Sequence, residues 1–139
     1  MNITTPTFLA LGSNLGHRAA HLATARDALA RLPHTTLVAA SRVEETLPLD
    51  DRDQPRYLNQ MVLLETTLTP HQLLDACLAI EQEAGRTRSD DRWASRTLDI
   101  DIVRFGDQSV TDDRLTIPHP ELPNRDFWQR GLAELGAHV

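Results

Sequence analysis

The sequence contains no lysine, and all 14 of its cationic side chains are arginine. That excludes mechanisms built on a lysine amine, a phosphate-binding P-loop among them. There is one cysteine, Cys77, so no internal disulfide can form. Its place in the apolar pattern of LLDACLAIE makes it a core residue rather than a nucleophile. Aromatic residues amount to 4% of the chain, so the few rings are poor candidates for bulk core filler. No apolar run approaches the ~20 residues that span a bilayer. The N-terminus has no basic stretch followed by a long apolar one, so neither a membrane span nor a leader is expected and a cytoplasmic location is. Positive charge is also in deficit: 14 Arg against 20 Asp and Glu leave −6. A net negative protein is not drawn generally to nucleic acid or anionic membrane, so its arginines must act locally.

What remains is the composition of an ordinary globular domain, 139 residues with 40% hydrophobic, read as a single domain over residues 1–139. TFLALGSN reads as a buried strand, Thr7 to Leu11, ending at a glycine turn where Ser13 or Asn14 caps the helix that follows. That helix, GHRAAHLATARDALARL, carries Leu22, Ala25, Leu29 and Leu32 along its apolar side and is stopped by Pro33. TTLVAASRVEET and YLNQMVLLETTL have strand composition, with the polar, proline-containing LPLDDRDQPR as the loop between them. Thr69 caps a helix, PHQLLDACLAIEQEAG, with Pro70 in its first turn and Gly85 at its end. RTRSDDRWAS is a second polar loop, followed by the strand TLDIDIVRFG, a hairpin arm near Val110, a proline-rich turn and a short helix capped by Asn124. The order is βαββαβ with a C-terminal extension. That is an α+β domain of ferredoxin-like type, an antiparallel sheet backed by helices.

The segment RWASRTLDIDIV, residues 92 to 103, concentrates the chemistry. Side chains alternate along a strand, so Leu98, Ile100 and Ile102 share one face while Thr97, Asp99 and Asp101 share the other. Two carboxylates about 6 to 7 Å apart on one face repel unless a cation sits between them. Oxygen donors on a strand suit Mg²⁺. Arg86, Arg88, Arg92 and Arg96 stand just upstream, so anion-binding groups lie beside a cation-binding pair, the mixture a metal-nucleotide site needs.

This segment resembles the signature of the 6-hydroxymethyl-7,8-dihydropterin pyrophosphokinase family: Arg-Trp-small-small-Arg, two residues, then Asp-hydrophobic-Asp. LALGSNLG, DQPRYLNQMV, IEQEAGRTR and RLTIPHPELPNRDF resemble further blocks of that family, in order from Phe8 to Phe127. The resemblance implies transfer of a pyrophosphoryl group from MgATP to the hydroxymethyl group of a reduced pterin, leaving AMP, in folate biosynthesis. It implies two Mg²⁺ held by Asp99 and Asp101, and transition-state roles for Arg86 and Arg96. On the ATP side it implies Glu81, Arg88, Arg114, Thr116, His119 and Arg125. A flat heterocycle needs a ring sandwich and a hydrogen-bonding edge partner. The resemblance supplies Tyr57 and Phe127 as the stacking pair, Asn59 as the edge amide, and Thr46, Leu49 and Trp93 from the two polar loops. For His119, a turn histidine bonded to backbone beside Pro118 and Pro120 is the alternative; for Tyr57, an ordinary core place.

Three departures from the family pattern stand out. Asp50 replaces a glycine after Pro48-Leu49, Arg104 replaces an aliphatic residue, and QRGLAELGAHV stands where the family pattern continues differently, so that one flank of the sheet is expected to be less covered. The expected partners are small molecules, ATP and the pterin, with no nucleic acid, no membrane and a monomeric chain. The rivals are a paralogue that binds nucleotide but uses another acceptor, and a ferredoxin-like RNA-binding module. The latter needs a basic sheet face with exposed rings, against which charge and aromatic content argue.

Overall fold

The computed structural model describes residues 3–47, 56–85 and 97–137. The long apolar runs form the centre of a five-stranded sheet in the order β2-β4-β1-β5, with β3 also paired to β4. Its strands are β1 (Thr5–Ser13), β2 (Thr35–Ala40), β3 (Glu44–Thr46), β4 (Tyr57–Thr66) and β5 (Asp99–Phe105). Every pairing is antiparallel. This is the ferredoxin-like arrangement expected from the order of elements.

Two helices cover one face. α1 (Arg18–Ala30) packs on β1, β2 and β4, and α2 (Pro70–Glu83) on β5. The core between them and the sheet holds Leu9, Leu11, Val62, Leu64, Ile100 and Phe105 from the strands, with Leu22, Leu29, Leu73 and Cys77 from the helices. α2 begins as its sequence dictates: the Thr69 hydroxyl accepts the Gln72 N–H while the Gln72 side chain accepts the Thr69 N–H, a closed capping box with Pro70 in the first turn. Burial pushes the Cys77 thiol well above its ordinary value, reinforced by the Glu81 and Asp101 carboxylates, so it stays protonated as a core residue.

α3 (Asp126–Glu134) lies on the opposite face. There Trp128 and Leu132, four residues apart and so on one side of the helix, close over Ala10, Met61 and Val103. Val103 reaches this face by simple alternation from Asp101, and there the β1–β5 register slips between Phe8 and Leu9: Leu9 pairs with Ile102 but Phe8 with Arg104. The extra residue is a bulge that reverses the alternation, returning Phe105 to the larger core. A two-stranded hairpin, β6 (Val110–Thr111) with β7 (Thr116–Ile117), and a 3-10 turn at Leu122–Asn124 lead into α3. Among the described residues, no helix is long and apolar enough to cross a membrane.

Three local expectations are corrected. β1 runs through Ser13, so Ser13 belongs to the strand; α1 starts later, with His17 at the N-cap and no side-chain cap bond. TTLVAASRVEET is two strands, because the Ser41 hydroxyl accepts the Met61 N–H and interrupts the ladder between β2 and β3. Asn124 does not cap α3: it ends the 3-10 turn, and Arg125 holds the N-cap position.

Candidate active site

Strand register brings the polar residues of the α3 face into two rows. Gly12 lies between Asp99 and Asn59, and Asn59 is opposite Glu44 on β3, so one row reads Asp99, Gly12, Asn59, Glu44. The next reads Asp101, Ala10, Met61. α3 covers Ala10 and Met61 but leaves the Asp99 end open. A Cβ at Gly12 would make ordinary contacts, 3.5 Å from Asn59 Oδ1 and 3.6 Å from Tyr57 Cδ1, so Gly12 lies directly beside both side chains.

Asp101 faces two cationic or polar partners from the segment after β7. Arg125 Nη1 lies 3.9 Å from Asp101 Oδ2, and His119 Nε2 lies 3.7 Å from Asp101 Oδ1. His119 is oriented by the backbone: its N–H donates to the Val103 carbonyl, and its Nδ1 accepts the Glu121 N–H at 3.1 Å. A ring whose Nδ1 accepts carries its proton on Nε2, so His119 presents an N–H toward Asp101. The turn bond is thus made by Nδ1, and the opposite nitrogen, Nε2, faces Asp101. Trp128 organises both partners, with the Arg125 guanidinium 4.4 Å above its ring and His119 edge-on at 4.9 Å. The Arg125 Nε is buried with no hydrogen-bond partner among the described residues. A buried donor left without an acceptor is costly.

On the other side of the opening, the expected pterin residues converge. Thr46 pairs with Tyr57 across β3 and β4, and Asn59 shares the face of Tyr57 two residues along. The Asn59 Nδ2 donates to the Thr46 hydroxyl at 2.6 Å. Phe127, at the start of α3, joins Asn59 in lining a cleft of about 660 Å³, whose lining also includes Met61, Glu44 and Arg130. Glu81 is buried on α2 and accepts the Ile100 N–H at 2.7 Å, so it ties the helix to the strand between the two aspartates.

Two expected residues stand apart from this group. Arg114 is exposed in the β6–β7 hairpin and pairs with Asp75 of α2 at 2.5 Å. Thr116 is exposed on β7, opposite Thr111. Arg86, Arg88, Trp93 and Arg96, and Leu49, lie outside the described residues. Sequence reading missed Gly12 and Trp128. Their only signals were the glycine that ends the strand pattern and the Trp128–Leu132 spacing in a helix of nine residues.

An acidic pair thus lies on one strand face of a ferredoxin-like sheet, with an arginine and a histidine facing Asp101 and an aromatic-amide cleft alongside. Comparison with known proteins supplies the family. The family model described as 7,8-dihydro-6-hydroxymethylpterin-pyrophosphokinase matches residues 8–137. The chain is 47% identical over 128 residues to the 2-amino-4-hydroxy-6-hydroxymethyldihydropteridine pyrophosphokinase of Pseudomonas aeruginosa, covering 92% of this chain and 78% of that one. It is 44% identical to the enzyme of the same name from Methylorubrum extorquens, covering 94% and 82%, and 43% identical to that from Haemophilus influenzae, covering 95% and 82%. The chain belongs to the 7,8-dihydro-6-hydroxymethylpterin-pyrophosphokinase family.

Proposed function

We propose that the acidic row of the sheet is where this family member transfers a pyrophosphoryl group from ATP to the hydroxymethyl oxygen of 6-hydroxymethyl-7,8-dihydropterin. The products are AMP and the pterin diphosphate, a step of folate biosynthesis. The observation that carries the reading is the placement of Asp99 and Asp101 on one face, with Arg125 and His119 directed at Asp101. The hydroxymethyl oxygen attacks the β-phosphorus of ATP and forms the new O–P bond. The bond from that phosphorus to the oxygen bridging to the α-phosphate breaks, and AMP leaves with the electron pair. The hydroxyl proton passes to solvent, with no side chain assigned as base.

The donor set suits Mg²⁺. Among the described residues no three acidic, histidine or cysteine groups form a closed cage. Mg²⁺ is usually held by one or two carboxylates and completes its octahedron with substrate phosphates and water. Asp99 and Asp101 would hold the two ions that accompany ATP. When bound, Mg²⁺ neutralises phosphate charge and polarises the phosphorus under attack.

The chain's own groups do the positioning. Arg125, fixed over Trp128, offers a planar fork to phosphate oxygens, and His119 offers its Nε2–H. Glu81 holds the backbone at Ile100, which keeps Asp99 and Asp101 at fixed spacing. Phe127 and Tyr57 take the faces of the pterin and Asn59 its edge, with Thr46 orienting the amide. Arg86 and Arg96 stabilise the transferring group, Arg88, Arg114 and Thr116 serve the nucleotide, and Leu49 and Trp93 close on the pterin. The enzyme works as a cytoplasmic monomer of one domain.

The test is to incubate purified protein with the pterin and MgATP and to weigh the products by mass spectrometry. AMP and pterin diphosphate in equal amounts are expected. ADP with a pterin monophosphate, or bound ATP with no product, would contradict the reading.

A further inference from the structure

Four charged side chains join α3 to the strand side of the cleft, and they alternate in sign. On α3, Arg130 and Glu134 are four residues apart and leave the helix on the same side. On the chain entering β3, Arg42 and Glu44 are two residues apart. Both Glu44 carboxylate oxygens accept from Arg130, one from Nε at 3.3 Å and the other from Nη2. Glu134 Oε2 accepts the Arg42 main-chain N–H at 2.8 Å, and its Oε1 lies 3.7 Å from Arg42 Nε. Between the two pairs the helix sits directly on the strand: a Cβ at Gly131 would be 2.7 Å from the Met61 Cβ.

This pattern specifies a register. A helical turn advances about 5.4 Å and a two-residue strand step about 6.7 Å, so a slide by one turn moves each charge to the neighbouring partner. In one direction Glu134 would meet Glu44; in the other, Arg130 would meet Arg42. Like charges in contact penalise both alternatives, which is how charge patterns enforce specificity.

Register here has a chemical consequence. Phe127 lies one turn before Arg130 on the same helix and lines the cleft with Asn59. Glu44 faces Asn59 across the ladder, and its carbonyl accepts the Asn59 Nδ2 at 3.4 Å. The two ends of the lock are therefore attached to the two walls of the cleft.

We propose that Arg42–Glu134 and Glu44–Arg130 form a register lock, a set of positioning residues that fixes the spacing between Phe127 and Asn59 and so sets affinity for the pterin. The proposal rests on the placing of the pterin between Phe127 and Asn59. The pairs are solvent-exposed, with Arg42 80% and Arg130 51% open at the side chain. Such pairs add little to stability, so the measurable effect is on position.

The test compares steady-state kinetics of Glu44→Arg, Arg130→Glu and the double variant, with Asn59→Ala as a control on the site itself and an unfolding midpoint for each. Each single reversal is expected to raise the pterin KM about tenfold while kcat and the ATP KM stay within about twofold. The double variant is expected to return the pterin KM to within about threefold of the parent, the remainder reflecting new like-charge neighbours on each element. Should a reversal lower the midpoint, Glu44→Gln removes the pair without adding repulsion and is expected to give a pterin-only effect of about threefold. An unchanged pterin KM in the single reversals, or no recovery in the double, overturns the lock. If Asn59→Ala still raises the pterin KM in that case, the site reading survives; if Asn59→Ala has no effect, the site reading fails and takes the lock with it.

Discussion

The two faces of the sheet are built from alternate residues of the same strands, yet they do different work. Toward α1 and α2, β1, β4 and β5 present Leu9, Leu11, Val62, Leu64, Ile100 and Ile102, all buried. Toward α3 the same strands present Ala10, Gly12, Asn59, Met61, Asp99 and Asp101. The first face is closed and apolar; the second is closed only where Trp128 and Leu132 cover it and is polar where it opens. A site on strands inherits the rigidity of the core behind it. Asp99 and Asp101 are spaced by a strand whose intervening Ile100 is packed against the helices and whose backbone is tied to Glu81. Repulsion between the neighbouring carboxylates is opposed by the Arg125 guanidinium beside Asp101 and by burial on the other face.

The faces should therefore fail separately. The largest effect on stability is expected from Phe105→Ala, which empties a site 2% exposed in the main core and should cost about 3–5 kcal/mol in urea unfolding. Binding of a non-hydrolysable ATP analogue to the folded fraction should be unchanged; a matching loss of binding would show the faces to be coupled. Gly131→Ala drives a Cβ into Met61 on the opposite face, and about 1–3 kcal/mol is expected, together with a raised pterin KM as α3 lifts from the strand. Thr69→Ala opens the capping box of α2, on the far side from the cleft, and should cost about 1 kcal/mol with turnover intact.

The smallest effect concerns the hairpin. The Arg114 N–H holds the Asp112 carboxyl below its ordinary value, helped by the His71 side chain and the Leu115 N–H. A carboxyl with a lowered folded-state pKa contributes stability above its unfolded pKa and loses it as pH falls through the folded value. The thermal midpoint of Asp112→Asn should lie slightly below that of the parent at pH 6, with the gap closing as pH falls below about 3.8. A gap that stays constant with pH would remove the carboxylate from the account.

Much of this division was legible in the sequence. The alternation of Leu98, Ile100 and Ile102 with Asp99 and Asp101 is a period-two pattern that local geometry alone converts into two faces. Thr69, Pro70 and Gln72 likewise carry their helix start in three residues. What was not legible depends on partners distant in sequence. The bulge at Val103 exists because β5 must match β1, and nothing within VRF announces it. The break between β2 and β3 follows from Ser41 reaching Met61, twenty positions away. The seating of Arg125 over Trp128, and its approach to Asp101, follow from how the C-terminal turn folds back on the sheet. The sequence reading placed Arg125 beside phosphate through resemblance, without the ring that holds it.

On the proposed function, the open row of this sheet is chemical and the opposite row structural. One sample of Asp101→Ala tests it most directly, by following AMP formation with the pterin and MgATP and then unfolding the same sample thermally. Turnover is expected to fall roughly a thousandfold, because the proposed Mg²⁺ site would lose an oxygen ligand, while the unfolding midpoint stays at that of the parent. Turnover close to the parent's, or a collapse of the midpoint alongside it, would contradict the division.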